Sequence, residues 1–302
     1  MTLTRHVPSD ASSTIEKLRA YIALTKPRII ELLLVTTLPA MFLAKEGIPS
    51  VGLIIGTLAG GTLASGGANA ANMVVDRDID KIMERTKGRP LASGLVSPAG
   101  AAIFSLVLEV VAFACLWAVA NLLAAALALA GALFYLVVYT IWLKRKSPQN
   151  IVIGGAAGAV PVLVGWAAVT GGLSWPALVM FGIVFLWTPP HFWALALRYR
   201  DDYEAANVPM LPVVSSYEST ARQMLIYALA LWACSLALVP VARMGIVYTL
   251  LAAAGGAAFA WQSWKLYRKS PGASPMRVFH WSITYLTILF AGIAVDVVIR
   301  YH

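Results

Sequence analysis

Nine apolar runs, each long enough or nearly so to cross a bilayer, alternate with short polar joints along this chain. They cover Arg28–Ala44, Val51–Val75, Pro98–Val119, Leu122–Leu143, Ile151–Thr170, Trp175–Leu197, Ser219–Val241, Met244–Leu266 and Phe279–Ile299. A bilayer core offers no water to unpaired backbone groups, so runs of this length predict helices. The pattern therefore predicts an all-α membrane protein with nine transmembrane helices. Residues 1–20 read as a polar tail and 21–302 as one transmembrane domain, with an interfacial helix around Ser13–Thr25. The joints at Ala118–Asn121 and Gly171–Ser174 are barely turns. Those after the second and sixth runs are the longest and most charged. Their recurrence four helices apart predicts two pseudo-symmetric four-helix halves facing each other, plus a ninth helix.

Composition agrees with the pattern. The chain is 60% hydrophobic and 12% charged, with a mean hydropathy of +0.76, whereas a soluble domain carries about a quarter charged residues. The net charge of +9 does not call for nucleic acid, because cytoplasmic loops of membrane proteins collect Lys and Arg. With the N-terminus in the cytoplasm, all of the 23 basic residues except Lys45, Arg243 and Arg300 fall in inside segments. That asymmetry predicts a multi-pass protein of the bacterial plasma membrane with its C-terminus outside. Cys115 and Cys234 lie within apolar runs and read as small core residues, not a disulfide framework. The first residues lack the apolar core of a signal peptide.

Candidate chemistry concentrates where the second apolar run ends. Asn72, Asp76 and Asp80 follow one another at four-residue spacing. On a helix they share a face, roughly 6 Å apart, while Asp78 lies about 200° from Asp76 and points away. Two carboxylates and an amide are what a hard divalent cation such as Mg²⁺ binds, completing its shell with water and phosphate oxygens. Arg85, Lys87 and Arg89 follow and suit a phosphate. The bland alternative is a solvated helix end. A second patch holds Arg198, Arg200, Asp201, Asp202 and Tyr203. Adjacent Asp201 and Asp202 cannot face one point, and Asp202 is the favoured member, four residues after Arg198. Lys144, Arg145 and Lys146 form a basic loop that reads first as a topology signal. Pro189 and Pro190 break backbone bonds within the sixth run and are followed by His191, which either satisfies a freed carbonyl or faces a cavity. Glu31, Glu109 and Asp296 are carboxylates in or near apolar runs.

The spacing N-x-x-x-D-x-x-x-D with a second acidic segment four helices later resembles the UbiA superfamily of intramembrane prenyltransferases. LTKPRI at Leu24–Ile29, DRDIDKIMERTKGRPL at Asp76–Leu91, NIVIGG at Asn150–Gly155 and TPPHFW at Thr188–Trp193 are similar to its haem O synthase branch, the protohaem IX farnesyltransferases. The likeness runs over nearly the whole chain beyond about residue 20 and implies a UbiA-type bundle. It implies Mg-dependent transfer of a farnesyl group from farnesyl diphosphate to a vinyl group of protohaem IX, with water added and diphosphate released. Asn72, Asp76 and Asp80 would hold Mg²⁺ on the diphosphate, with Asp202 and Asp201 in a second metal site. Arg28, Lys144 and Arg145 match basic positions used on the diphosphate. His191 and Arg198 stand where many superfamily members have acidic residues, so the two-metal geometry of those members does not transfer directly, and His191 becomes a candidate haem contact. Membrane lipids are partners, haem A synthase and terminal oxidase assembly are candidate contacts, and the active site is expected at the cytoplasmic side.

Two other readings compete. One is a UbiA-type enzyme with a quinone-precursor or chlorophyllide acceptor. The other, of a different class, is an ion-coupled transporter using Glu31, Glu109 and Asp296; the crowding of acidic residues at one membrane face speaks against it.

Overall fold

The computed structural model describes residues 10–301, and for residues 10–13, 28, 29 and 31–33 the backbone alone. The expectations placed on the side chains of Arg28 and Glu31, and on the first nine residues, lie outside the described residues. Among the described residues the secondary structure is entirely helical. The long helices are α2 (Pro27–Lys45), α3 (Val51–Val75), α5 (Pro98–Val119), α6 (Leu122–Leu143), α7 (Asn150–Thr170), α8 (Trp175–Arg198), α11 (Tyr217–Val241), α12 (Ile246–Tyr267) and α13 (Pro275–Tyr301). Short helices α1 (Asp10–Leu24), α4 (Arg77–Ile82), α9 (Arg200–Ala205) and α10 (Leu211–Val214) occupy the polar joints.

Eight of these helices are long and apolar enough to cross a membrane. The ninth place is taken by α2, whose apolar stretch Leu34–Lys45 is shorter. Helix starts follow from local capping: the side chains of Ser50, Ser97, Asn121 and Ser216 accept from the backbone N–H groups of Leu53, Gly100, Ala124 and Ser219. Each long helix packs on its neighbours in the chain, and α2 closes the ring by packing on both α7 and α13. Buried aromatics such as Trp193, Tyr248, Phe259, Tyr285 and Phe290 fill the half around α8, α11, α12 and α13. Outward positions such as Ile103, Leu106, Val110 and Leu250 stay exposed, as lipid-facing residues do.

Small residues let α3 and α5 approach closely. A Cβ on Gly67 would stand 3.0 Å from the Ser105 carbonyl oxygen, and the Ser105 hydroxyl donates to the Gly67 carbonyl at 2.8 Å. Glu109 lies against the same glycine, and its Oε1 is buried without a hydrogen-bond partner. On α1, Ala20 and Leu24 pack onto α3 and α5 while Ile15, Leu18 and Ile22 stay exposed, the arrangement of a helix lying in a membrane interface. Asp296 has a structural use. From α13 it accepts the backbone N–H of Gly245 at 2.7 Å and of Tyr248 at 3.2 Å, capping the start of α12, and it pairs with Arg300 at 3.0 Å.

Candidate active site

The helical path that carries Asn72 and Asp76 breaks at Asp76, where α3 ends and α4 begins. The turn is retained all the same, because the Asp80 N–H still bonds the Asp76 carbonyl at 2.8 Å. All three predicted side chains are buried: Asn72, Asp76 and Asp80 are at most 2% exposed. Asn72 Nδ2 donates to Asp76 Oδ2 at 2.7 Å and to Thr140 Oγ1 at 3.0 Å. Lys144 forms an ion pair with Asp76 through Oδ2. Asp76 Oδ1 accepts no hydrogen bond, with Arg145 Nη2 standing 4.0 Å away. Asp80 is held through both oxygens by Arg89, at 2.8 and 2.9 Å. Asp78 faces outward, as its angle predicts, and takes both arms of Arg145 at 2.7 Å.

Two local distortions bring the cations in. Lys26 has left-handed backbone torsions (φ 52°, ψ 63°) ahead of Pro27, an uncommon conformation for a residue with a side chain. It places the ammonium 2.7 Å from Asn72 Oδ1. Burial, reinforced by the charges of Arg89 and Lys144, pulls the Lys26 ammonium down to about 7. The adjoining Thr25 carbonyl accepts from Asn69 Nδ2 at 3.0 Å, tying this joint to α3. The second distortion is in α6, where Phe134–Leu143 widens to i→i+5 hydrogen bonding. The Lys144 N–H bonds the Tyr139 carbonyl, and the Thr140 hydroxyl bonds that of Tyr135. Widened turns of this kind recur at functional sites. Here the turn presents Thr140 to Asn72 and Lys144 to Asp76.

The second acidic patch reaches the first through Arg85. Its backbone N–H donates to Asp202 Oδ2 at 3.2 Å, its guanidinium donates to Tyr203 Oη at 3.3 Å, and it lies 5.5 Å from the Tyr199 ring centre. Burial raises the Tyr203 phenol above its ordinary value, so it remains protonated. Asp202 is half-buried and Asp201 exposed. Arg198 is exposed too: α8 ends there, and Tyr199 (φ −112°, ψ 32°) interrupts the helix before α9. The i, i+4 relation expected between Arg198 and Asp202 therefore crosses a break. Among the described residues no three carboxylates, imidazoles or thiols converge on one point. The donor set is carboxylate plus amide, with basic side chains filling the space between.

Residues 33–284 match the UbiA prenyltransferase family. The chain belongs to that family. It is 53% identical over 294 residues to a protoheme IX farnesyltransferase of Clavibacter michiganensis subsp. michiganensis, covering 96% of each chain. It is 57% identical over 282 residues to protoheme IX farnesyltransferase 1 of Saccharopolyspora erythraea, covering 92% of this chain and 90% of that one. Among solved structures, a UbiA homologue from Aeropyrum pernix K1 superposes with a TM-score of 0.70 at 22% identity, covering 89% of this chain and 98% of the other. A UbiA homologue from Archaeoglobus fulgidus, bound to GPP and Mg²⁺, does so with 0.66 at 15% identity, covering 91% and 99%. The two structures share the UbiA fold with this chain.

Within this UbiA bundle His191 lies inside α8, about 10 Å of helix before Arg198. It stacks between Trp187 and Phe279, with ring centres 4.1 and 4.6 Å away. The Ser282 hydroxyl lies 2.6 Å from the Phe279 carbonyl oxygen and shares a 2.7 Å hydrogen bond with His191 Nδ1. Trp187 Nε1 donates to the Ser282 carbonyl at 2.7 Å. Nδ1 is thereby engaged by Ser282. Lys26 and Thr140 join the site without having been singled out from sequence, and Tyr203, read from sequence as part of the second patch, joins it through Arg85. Each reaches it across more than forty residues of chain, a separation that no spacing rule covers.

Proposed function

We infer that this chain transfers a farnesyl group from farnesyl diphosphate to a vinyl group of protohaem IX, with water added to the product and diphosphate released. The reading draws on identities above one half to curated protoheme IX farnesyltransferases over nine-tenths of the chain. The observation that carries it on this chain is Asp76: fully buried, one oxygen held by Lys144 and Asn72, the other accepting no hydrogen bond, with the Arg145 guanidinium 4.0 Å away. A buried acceptor left open beside an amide and a second carboxylate fits a hard divalent cation. Asn72, Asp76 and Asp80 would hold Mg²⁺, with Asp202 and Asp201 as candidates for a second ion. Bound Mg²⁺ would neutralise the diphosphate and so make it a better leaving group.

The rest of the mechanism belongs to the side chains. Lys26, Lys144, Arg145, Arg85 and Arg89 are each held by a carboxylate, amide or phenol at hydrogen-bonding range. They are thus oriented before a diphosphate arrives, and the exchange of one anionic partner for another needs little reorganisation. Arg28 joins them as a proposed contact on the strength of the LTKPRI resemblance, and Arg198 as a more distant cation on the rim. His191 offers Nε2 as a proposed contact for the haem. Apolar helix faces keep bulk water from the allylic cation that forms once the diphosphate leaves. The basic asymmetry of the loops supports a reaction at the cytoplasmic side, with the N-terminus inside. The test is purified protein with protohaem, farnesyl diphosphate and Mg²⁺, followed by mass analysis of the haem. A farnesylated, hydrated haem is expected; unmodified haem would overturn the reading.

A further inference from the structure

Asn150 opens α7 and is completely buried, and neither its Nδ2 nor its Oδ1 has a hydrogen-bond partner among the described residues. Leaving a buried donor or acceptor unmade carries a desolvation penalty that a leucine in the same space would not incur. An amide kept under those terms points to a ligand.

Its depth is fixed by its neighbours. Gly154, one turn further on the same face, lies against Tyr139, where a Cβ would stand 2.9 Å from Tyr139 Cγ. Lys144 stands one widened turn beyond Tyr139, its N–H bonded to the Tyr139 carbonyl, and its ammonium meets Asp76. The chain reverses between α6 and α7, so Asn150, one turn before Gly154, lies at the depth of Lys144.

The chemistry of the amide narrows the ligand. An ionised diphosphate or a carboxylate offers only acceptors and would satisfy Nδ2 alone. Water both donates and accepts, and satisfies Oδ1 and Nδ2 together.

We propose that Asn150 holds the water molecule that adds to the farnesylated vinyl group, a role that rests on the transferase reading above. The C1–O bond of farnesyl diphosphate breaks, and its electron pair leaves with the diphosphate. The vinyl π pair forms the new carbon–carbon bond to farnesyl C1, leaving a cation on the vinyl carbon next to the porphyrin ring. A lone pair of the held water closes that cation, and the proton lost passes to an oxygen of the departed diphosphate. Without a held water, the cation loses a proton from carbon instead and gives an alkene lighter by one water.

The experiment incubates wild-type, Asn150→Leu and Asn150→Ser enzymes with protohaem, farnesyl diphosphate and Mg²⁺ in detergent, and weighs the haem products. The readout is the ratio of hydrated to dehydrated farnesyl haem, not the total. Asn150→Leu is expected to shift that ratio about tenfold toward the alkene, the worth of one to two hydrogen bonds. Asn150→Ser, which still donates and accepts, should stay near the wild-type ratio, and Asn150→Val gives a smaller apolar replacement with the same expectation as leucine. A leucine or valine enzyme that yields the wild-type ratio, or that loses both products by one factor, overturns the proposal. A wild-type enzyme that makes no farnesylated haem at all overturns the transferase reading instead, and the role of Asn150 with it.

Discussion

Lys144 and Asp76 form an ion pair whose carboxylate is entirely buried, yet one of its two oxygens receives no hydrogen bond. A half-open carboxylate in a site of low dielectric is poised for a second positive partner, because the ammonium alone does not saturate it. Asp76→Asn should lower farnesyl transfer ~10²–10³-fold, the range seen when one pre-oriented electrostatic group is lost. Measured kcat/KM on protein of unchanged gel-filtration profile checks this, and activity within a few-fold of wild type would count against the site.

The same pair separates a catalytic loss from a structural one. Lys144→Met leaves Asp76 buried without its charge partner and should destabilise the fold by ~3–5 kcal/mol. Asp76→Asn combined with Lys144→Met should recover most of that stability while activity stays lost. Denaturant unfolding in detergent reads the difference.

Lys26 should matter for binding the donor. Its ammonium donates to Asn72 beside the open oxygen of Asp76. Lys26→Met is expected to raise KM for farnesyl diphosphate ~10–100-fold, the value of one hydrogen bond to a charged group. KM for protohaem should move far less.

Metal removal gives a further check. Chelation by EDTA should abolish turnover and added Mg²⁺ restore it. In Asp80→Asn the Mg²⁺ concentration for half-maximal rate should rise, since a carboxylate is exchanged for a neutral amide. Full activity in excess chelator would exclude the divalent-ion reading.

Asp296 tests the transporter alternative. It caps α12 and pairs with Arg300. Asp296→Ala should cost ~1–2 kcal/mol of stability, as the loss of a helix cap does, with kcat per folded molecule preserved. Loss of turnover without loss of stability would instead restore Asp296 as a functional carboxylate.

Much of this architecture could be read from the chain. The apolar runs predict the long helices to within a few residues, because unpaired backbone cannot cross a bilayer and the helix ends follow polarity. The adjacency of Asn72 and Asp76 follows from helical spacing and is realised in a 2.7 Å hydrogen bond. The expectation for Arg198 and Asp202 assumed one continuous helix, and the break at Tyr199 removes that basis. Arg85 as the joint between the patches was out of reach for another reason: its backbone N–H makes the contact to Asp202, and a backbone donor carries no residue signature. The roles of Lys26 and Asn150 depend on a left-handed backbone turn and on a widened helix across the bundle, neither of which spacing predicts.

The widened turn of α6 amounts to surplus chain wound into a fixed length. Whatever lies beyond it, Lys144 above all, owes its angular position to that excess. A deletion of a single residue within Phe134–Leu143 could restore ordinary winding without disturbing the hydrophobic length, and would rotate the lysine off its carboxylate. Catalytic alignment at this corner is therefore far more sensitive to chain length than to side-chain identity in the lipid-facing turns.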